Sequence, residues 1–170
     1  IGVVGPIETG DAKLYVDGFV AGVKATDPDI EVLVTYINSF SDVALAAETA
    51  QTQIAAGADV MTGTAQMVVG AIGKIQEAGG YWFGTQADQS SFAPDSVVAS
   101  QVYHWDVVLK EMIELRSDGT LGGQSFAINL ENGGEVMVFN PDLEIPAEVK
   151  AAGEAAVQGI IDGSITIELP

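Results

Sequence analysis

The chain has 170 residues, with 6 Lys plus Arg against 24 Asp plus Glu and a formal net charge of −18. Six scattered cations form no patch that could displace counterions from phosphates, which argues against nucleic acid as a partner, and the same repulsion disfavours anionic membrane surfaces. With no cysteine, disulfides, thiolate chemistry and cysteine zinc sites are excluded. The length suits one domain with a real core, and the charge suits uncharged or cationic partners or a saline habitat.

The elements alternate in chain order. A strand-like apolar run at residues 1–4 precedes a helical stripe of Ala12, Val16, Phe19 and Val23. A second run at 32–37 precedes Val43, Ala47, Ala50 and Ile54, with Gly57 as the stop. A third run at 59–62 precedes Ala65, Val68, Ile72 and Ile75, stopped by Gly79 and Gly80. Runs at 81–84 and 97–100 lead to Trp105, Val108, Met112 and Leu115, stopped by Gly119. Apolar runs of this length suit strands buried on both faces, and each stripe gives a helix one apolar face. Strand candidates at 126–130 and 136–139 flank Asn132-Gly133-Gly134, a hairpin signal. A fifth helix over about 146–162 has Pro146 as its first residue and Gly163 past its end, before a last strand at 165–169. The alternation predicts an α/β fold, a parallel sheet flanked by helices on both faces.

No apolar run approaches the ~18 residues of a membrane-spanning helix, and no signal-peptide pattern is present. The chain opens at Ile1 inside a strand-like run, so we expect a mature or truncated piece of a longer product.

Catalytic spacing is missing. There is no G-x-G-x-x-G, P-loop, G-x-S-x-G, H-E-x-x-H or calcium loop. His104 is the single histidine, and Asp106 is too close in sequence to orient it as in a catalytic triad. No catalytic residue, metal ligand or cofactor is assigned.

In an open parallel sheet, ligands bind beyond the carboxyl ends of the strands. The loops there carry Phe40, Tyr103 and Trp105, the hydroxyl and amide groups of Ser39, Thr64 and Gln86, and the carboxylate of Asp88. Aromatic faces stack on flat rings, a carboxylate accepts from sugar hydroxyls, and Thr64, read as a helix start, offers free N–H groups. No cation is present to neutralise a phosphate. Structural roles compete: Phe40 as a staple under the second helix, Asp88 as a turn residue, Ser41 and Asp42 as helix caps, and Trp105 as the start of a core stripe. Trp82, in mid-strand, reads as core.

At these loops the sequence resembles a known family. The matching stretches are Gly18-Phe19-Val20-Ala21-Gly22-Val23-Lys24-Ala25 with Pro28-Asp29-Ile30, Asn38-Ser39-Phe40-Ser41-Asp42 and Gly57-Ala58-Asp59-Val60. They continue with Gly84-Thr85-Gln86-Ala87-Asp88-Gln89, Ala93-Pro94-Asp95 and Gly159-Ile160-Ile161-Asp162-Gly163-Ser164-Ile165. These stretches resemble the basic membrane protein family, the substrate-binding lipoproteins of nucleoside-type ABC transporters. The resemblance implies a Rossmann-like lobe of a type I periplasmic-binding-protein fold, corresponding to the second half of the family's chain. It implies a base-stacking role for Phe40, a ribose-binding role for Asp88, and a ligand-side loop at Gly63 and Thr64. Gln86 stands where many members have an acid, and Tyr103 near where many have a lysine.

The expected organisation is a ligand-binding lobe at 1–103, with 104–170 completing it or crossing toward the first lobe. The expected function is binding a purine nucleoside or similar solute without chemistry. A permease partner and an extracytoplasmic location come from the resemblance. The alternatives are a carboxylate-based nucleoside hydrolase and a half-domain acting through protein contacts.

Overall fold

The structure is a computed structural model that describes residues 1–167. Its elements are β1 (Gly2–Gly5), α1 (Gly10–Thr26), β2 (Leu33–Tyr36), α2 (Val43–Ala55), β3 (Val60–Gly63), α3 (Val68–Glu77), β4 (Tyr81–Gly84), β5 (Val97–Tyr103), α4 (Asp106–Ser117), β6 (Glu135–Phe139) and α5 (Ala147–Ile161). A 3-10 turn at Ser90–Phe92 joins β4 to β5.

The six strands form one sheet in the order β2-β1-β3-β4-β5-β6. Strands β1 to β5 are parallel, as the buried apolar runs predict. The expected parallel sheet is present, and at its edge β6 runs antiparallel to β5, pairing Ala99 with Phe139 through to Tyr103 with Glu135. Asn140 fixes this edge by donating from Nδ2 to the Pro94 and Val97 carbonyls at 2.8 and 2.7 Å. The chain leaves β1 toward β2 and then returns past β1 to β3. Right-handed crossovers in opposite directions put α1 on one face and α2 and α3 on the other, with a switch point between β1 and β3.

The face under α2 and α3 holds the main core. Val4, Met61, Trp82 and Val97 of the sheet meet Ala46, Ala50, Val68, Ala71, Ile72 and Ile75 of the helices, all buried. Strand alternation sends the next residues to the α1 face, where Thr62 bonds Tyr15 and Phe83 packs near Phe19 at 6.3 Å. Helices α2 and α3 approach closely because Gly70 has no side chain: a Cβ there would lie 2.1 Å from the Val43 carbonyl oxygen.

Several expected elements are corrected. Ala65 does not open the third helix; it has φ of +79° and sits in a turn before α3, so Thr64 is not at a helix start. Residues 126–130 form no strand. Asn129 and Asn132 exchange backbone-to-side-chain bonds at 3.0 and 2.9 Å, and Asn132 Nδ2 donates to the Ala127 carbonyl. These local bonds fold the segment into a turn instead of offering it to a partner strand. Pro146 caps α5 from outside in extended geometry, ψ 136°. Residues 165–167 form no strand, because Ile165 N donates back to the Gly159 carbonyl at 2.8 Å; the rest of that predicted strand lies outside the described residues. Along α4 only Val108 is buried, and Trp105 and Met112 of its expected core stripe are exposed. Among the described residues, no helix is long and apolar enough to cross a membrane.

Candidate functional site

Three loops leave the carboxyl edge of the sheet with one shared feature. The second residue past β2, β3 and β4 is Asn38, Ala65 and Gln86, and each has positive φ: +56°, +79° and +71°. Outside asparagine this conformation is disfavoured by ~1–2 kcal/mol per residue and persists only where surroundings enforce it. Here Ser39 N donates to the Pro6 carbonyl at 3.1 Å, Met67 N to Phe40 O at 3.1 Å, and Tyr103 N to Gln86 O at 3.2 Å. These bonds tie the β2 loop to the loops after β1 and β3, and the β4 loop to the end of β5.

Phe40 is 48% exposed, so it is not a staple beneath α2. Its carbonyl is anchored while its ring stays accessible. Ser39 Oγ accepts from the backbone N–H groups of Ser41 and Asp42 at 3.3 and 3.0 Å, shaping the turn. Asp42 alone caps α2, accepting from Leu45 N at 2.9 Å. Thr64 is buried, and Gly63 faces inward, where a Cβ would meet the Val4 carbonyl oxygen at 2.5 Å. Packing therefore requires glycine at 63.

The loop after β4 rests on Gln89. Its Oε1 accepts from Trp82 Nε1 at 2.8 Å, its Nε2 donates to the Thr85 carbonyl at 3.0 Å, and its backbone N donates to Ser100 Oγ at 3.1 Å. On this base stands Asp88, exposed, with Oδ1 accepting from Ser90 N and Ser90 Oγ. Asp88 is a turn residue that keeps Oδ2 for another donor. Gln86 is exposed beside it.

Tyr103 and Trp105 meet edge to face with centroids 5.8 Å apart, and Trp105 is 57% exposed. Burial raises the Tyr103 phenol pKa, and the carboxylates of Glu135 and Asp11 raise it further. Residues missed at the sequence level join it on the α1 face of the sheet. Thr85 Oγ1 donates to Gln101 Oε1 at 2.8 Å, and Gln101 Nε2 donates to Glu135 Oε1. Period-2 spacing put Gln101 on the same strand face as Tyr103, but nothing in the sequence placed Glu135 opposite.

The site is acidic and short of cations. The ion pairs among the described residues are Lys13–Asp17, Lys74–Glu77, Lys110–Asp106 and Lys150–Glu154, each within one helix. Glu8, Asp11, Asp88 and Glu135 have no such partner there. Among the described residues no three His, Asp or Glu side chains converge as a metal site. A groove of about 290 Å³ runs between α1 and the edge strand β2, lined by Val16, Val20, Val34 and Tyr36. Another of about 250 Å³ lies beneath the end of α4, near Met112, Leu115 and Leu121. Neither is lined by Phe40, Asp88 or Tyr103, so the carboxyl-edge loops form an open shelf.

This fold is that of an ABC-transporter solute-binding protein lobe. A solute-binding protein of this class from Aeropyrum pernix K1 superposes with a TM-score of 0.82 at 21% identity, over 99% of this chain and 57% of that one. The chain belongs to the Bmp family, described as ABC transporter substrate-binding protein PnrA-like, whose model matches residues 1–163. It is 30% identical to the ABC transporter nucleoside-binding protein BmpA of Lactococcus lactis, over 98% of this chain and 52% of that protein. It is 25% identical to a purine-binding protein of Brucella abortus, over 96% of this chain and 46% of that one. The chain thus spans about half the length of the curated relatives it matches.

Proposed function

We propose that this chain is a ligand-binding lobe of the solute-binding component of an ABC uptake system, acting outside the cytoplasm and delivering its ligand to a permease. The ligand is a purine nucleoside or a similar flat, hydroxyl-bearing solute, bound without chemistry. The observation that carries this reading is the presence of an exposed Phe40 ring and the free Oδ2 of Asp88 on two loops that leave the same carboxyl edge of the sheet. A stacked base contributes ~1–3 kcal/mol by alanine substitution, and a carboxylate bonded to a hydroxyl about 1.5–3 kcal/mol. The names of the Lactococcus and Brucella relatives support the nucleoside class. Ser39, Gly63 and Thr64 shape the shelf, and Gln86, Tyr103 and Trp105 border it. The uncompensated carboxylates count against a phosphorylated ligand.

One lobe supplies part of the contacts of a closed two-lobe site, so affinity is expected to fall short of the −8 to −12 kcal/mol, roughly, of micromolar to nanomolar binders. The test is calorimetric titration with adenosine, inosine, guanosine and their free bases. Saturable heat, with affinity weakened about 5- to 150-fold by Phe40→Ala and about 10- to 150-fold by Asp88→Ala at near-native melting, supports the reading. Wild-type affinity in both variants overturns the site. Free base and ribose accumulating during incubation would replace binding by hydrolysis.

A further inference from the structure

The row of polar groups on the α1 face of β4, β5 and β6 has no part in the stacking and ribose contacts. Tyr103 and Glu135 are direct neighbours across the antiparallel pair. Gln101, two residues earlier on β5, shares their face. Its amide is fixed at both ends: Oε1 accepts a hydrogen bond from the buried Thr85 hydroxyl at 2.8 Å, and Nε2 donates to Glu135 Oε1. This arrangement holds the half-buried Glu135 carboxylate in one orientation and leaves Oε2 for a further donor.

The surroundings say what that donor is. Among the described residues no Lys or Arg pairs with Glu135. The Tyr103 and Trp105 rings stand beside it, Trp105 mostly in solvent. Asp11, at the start of α1, adds a second negative charge to the field at Tyr103. A partly desolvated carboxylate without a cation gains most from a donor that brings positive charge, and aromatic faces attract the same group. The same field opposes a phosphate or carboxylate on the ligand.

We propose that Glu135, oriented by Gln101, is a specificity determinant that, with the Tyr103–Trp105 pair, accepts an amino or cationic group of the solute and rejects anionic forms. The assignment rests on the solute-binding reading above. Gln101 is a positioning residue: it acts through Glu135.

The test titrates wild type, Glu135→Gln, Glu135→Lys, Glu135→Asp, Gln101→Leu and Asp88→Ala with adenosine, inosine and adenosine 5′-monophosphate at one salt concentration. Wild type is expected to favour adenosine by at least about tenfold over inosine, which lacks the amino group, and over the monophosphate. Glu135→Gln, nearly isosteric, should bring the adenosine-to-inosine ratio toward one. Glu135→Lys should favour the monophosphate, and Glu135→Asp should retain the wild-type order. Gln101→Leu should lower the ratio with little change in melting, an effect that a purely structural role would not produce. Asp88→Ala, in contrast, should weaken all three ligands in parallel. Unchanged ratios in the Glu135 and Gln101 variants of a protein that still binds adenosine would overturn the assignment alone. Wild type binding none of the three would overturn the solute-binding reading, and this assignment with it.

Discussion

Replacing Gln89 by leucine removes the support beneath the Asp88 loop while keeping side-chain volume close to native. Gln89 is 6% exposed, and its side chain accepts from Trp82 Nε1 at 2.8 Å and donates to the Thr85 carbonyl at 3.0 Å. Leucine leaves a fully buried indole N–H and a strand-end carbonyl without these partners. An orphaned buried group costs ~1–3 kcal/mol; with the indole near the middle of that range and the carbonyl lower, the loss is about 3 kcal/mol. For a chain of this size each kcal/mol moves the melting temperature by about 2–4 °C, so the drop is about 6–12 °C. Thermal unfolding followed by circular dichroism measures it. A Trp82→Phe background isolates the cause: the indole donor is already gone, so the added cost of Gln89→Leu should shrink by about two-thirds. A loss under about 1 kcal/mol, or the same loss in both backgrounds, would refute the account of Gln89 as the partner of Trp82.

Two further outcomes follow from the packing. Burial pushes the Tyr15 phenol from its ordinary 10.0 up to about 12. A folded pKa above the unfolded one stabilises the protein fully below pH 10, and that stability is lost as pH rises from 10 toward about 12. The shift corresponds to about 3 kcal/mol. Urea unfolding across this range should show a steeper decline in wild type than in Tyr15→Phe, and equal slopes would remove Tyr15 as the cause. Gly70→Ala places a Cβ 2.1 Å from the Val43 carbonyl oxygen and must drive α2 from α3, at a cost of about 1–3 kcal/mol. Because Met67 N holds Phe40 O, the proposed nucleoside binding should weaken as well, although Gly70 lies in the helix–helix contact. Gly73→Ala, with open space around it, should instead stabilise by about 0.5–1 kcal/mol. Indistinguishable stabilities for the two glycine variants would refute the close-approach argument.

The frame of the fold is legible in the sequence because its central strands β1 and β3 are buried on both faces and helices α2 and α3 on one. Runs of apolar residues and stripes at 3.6 spacing are direct records of those environments. Positive φ at Gly57 and Gly79 ends α2 and α3 where glycine predicted a stop. What fails is set by contacts distant in sequence. Ala65 fits the stripe of α3, but the bond from Met67 N to Phe40 O pulls the preceding turn out of helical geometry. Residues 126–130 have strand-like composition, yet two asparagines satisfy the backbone locally. The candidate site divides the same way. Phe40 and Asp88 can be read from the sequence because any loop after a parallel strand faces the crevice. Gln101 and Glu135 cannot, because their bond spans 34 residues and depends on the antiparallel register of β6.

The distribution of strain and packing explains why the shelf belongs where it is. Left-handed geometry at Ala65 and Gln86 costs ~1–2 kcal/mol each, which is appreciable beside a typical net stability of about 5–15 kcal/mol. Relaxed turns with glycine at those positions would serve folding equally well, so the strain is retained only if the backbone paths do something else. Each path turns the chain across the carboxyl edge, carrying Phe40 over β3 and Asp88 over the Gln89 base. The side of the sheet that holds these exits is the one sealed by α2 and α3, where Met61, Met67, Ile72 and Trp82 are fully buried. Across the chain, α4 and α5 bury only Val108 and Gly159 between them. A dense core beneath strained loops can hold a stacking ring and a carboxylate in place before any ligand arrives, which lowers the ordering cost of binding. The thinly packed helices could not enforce such geometry, and no strained non-glycine residue occurs in them.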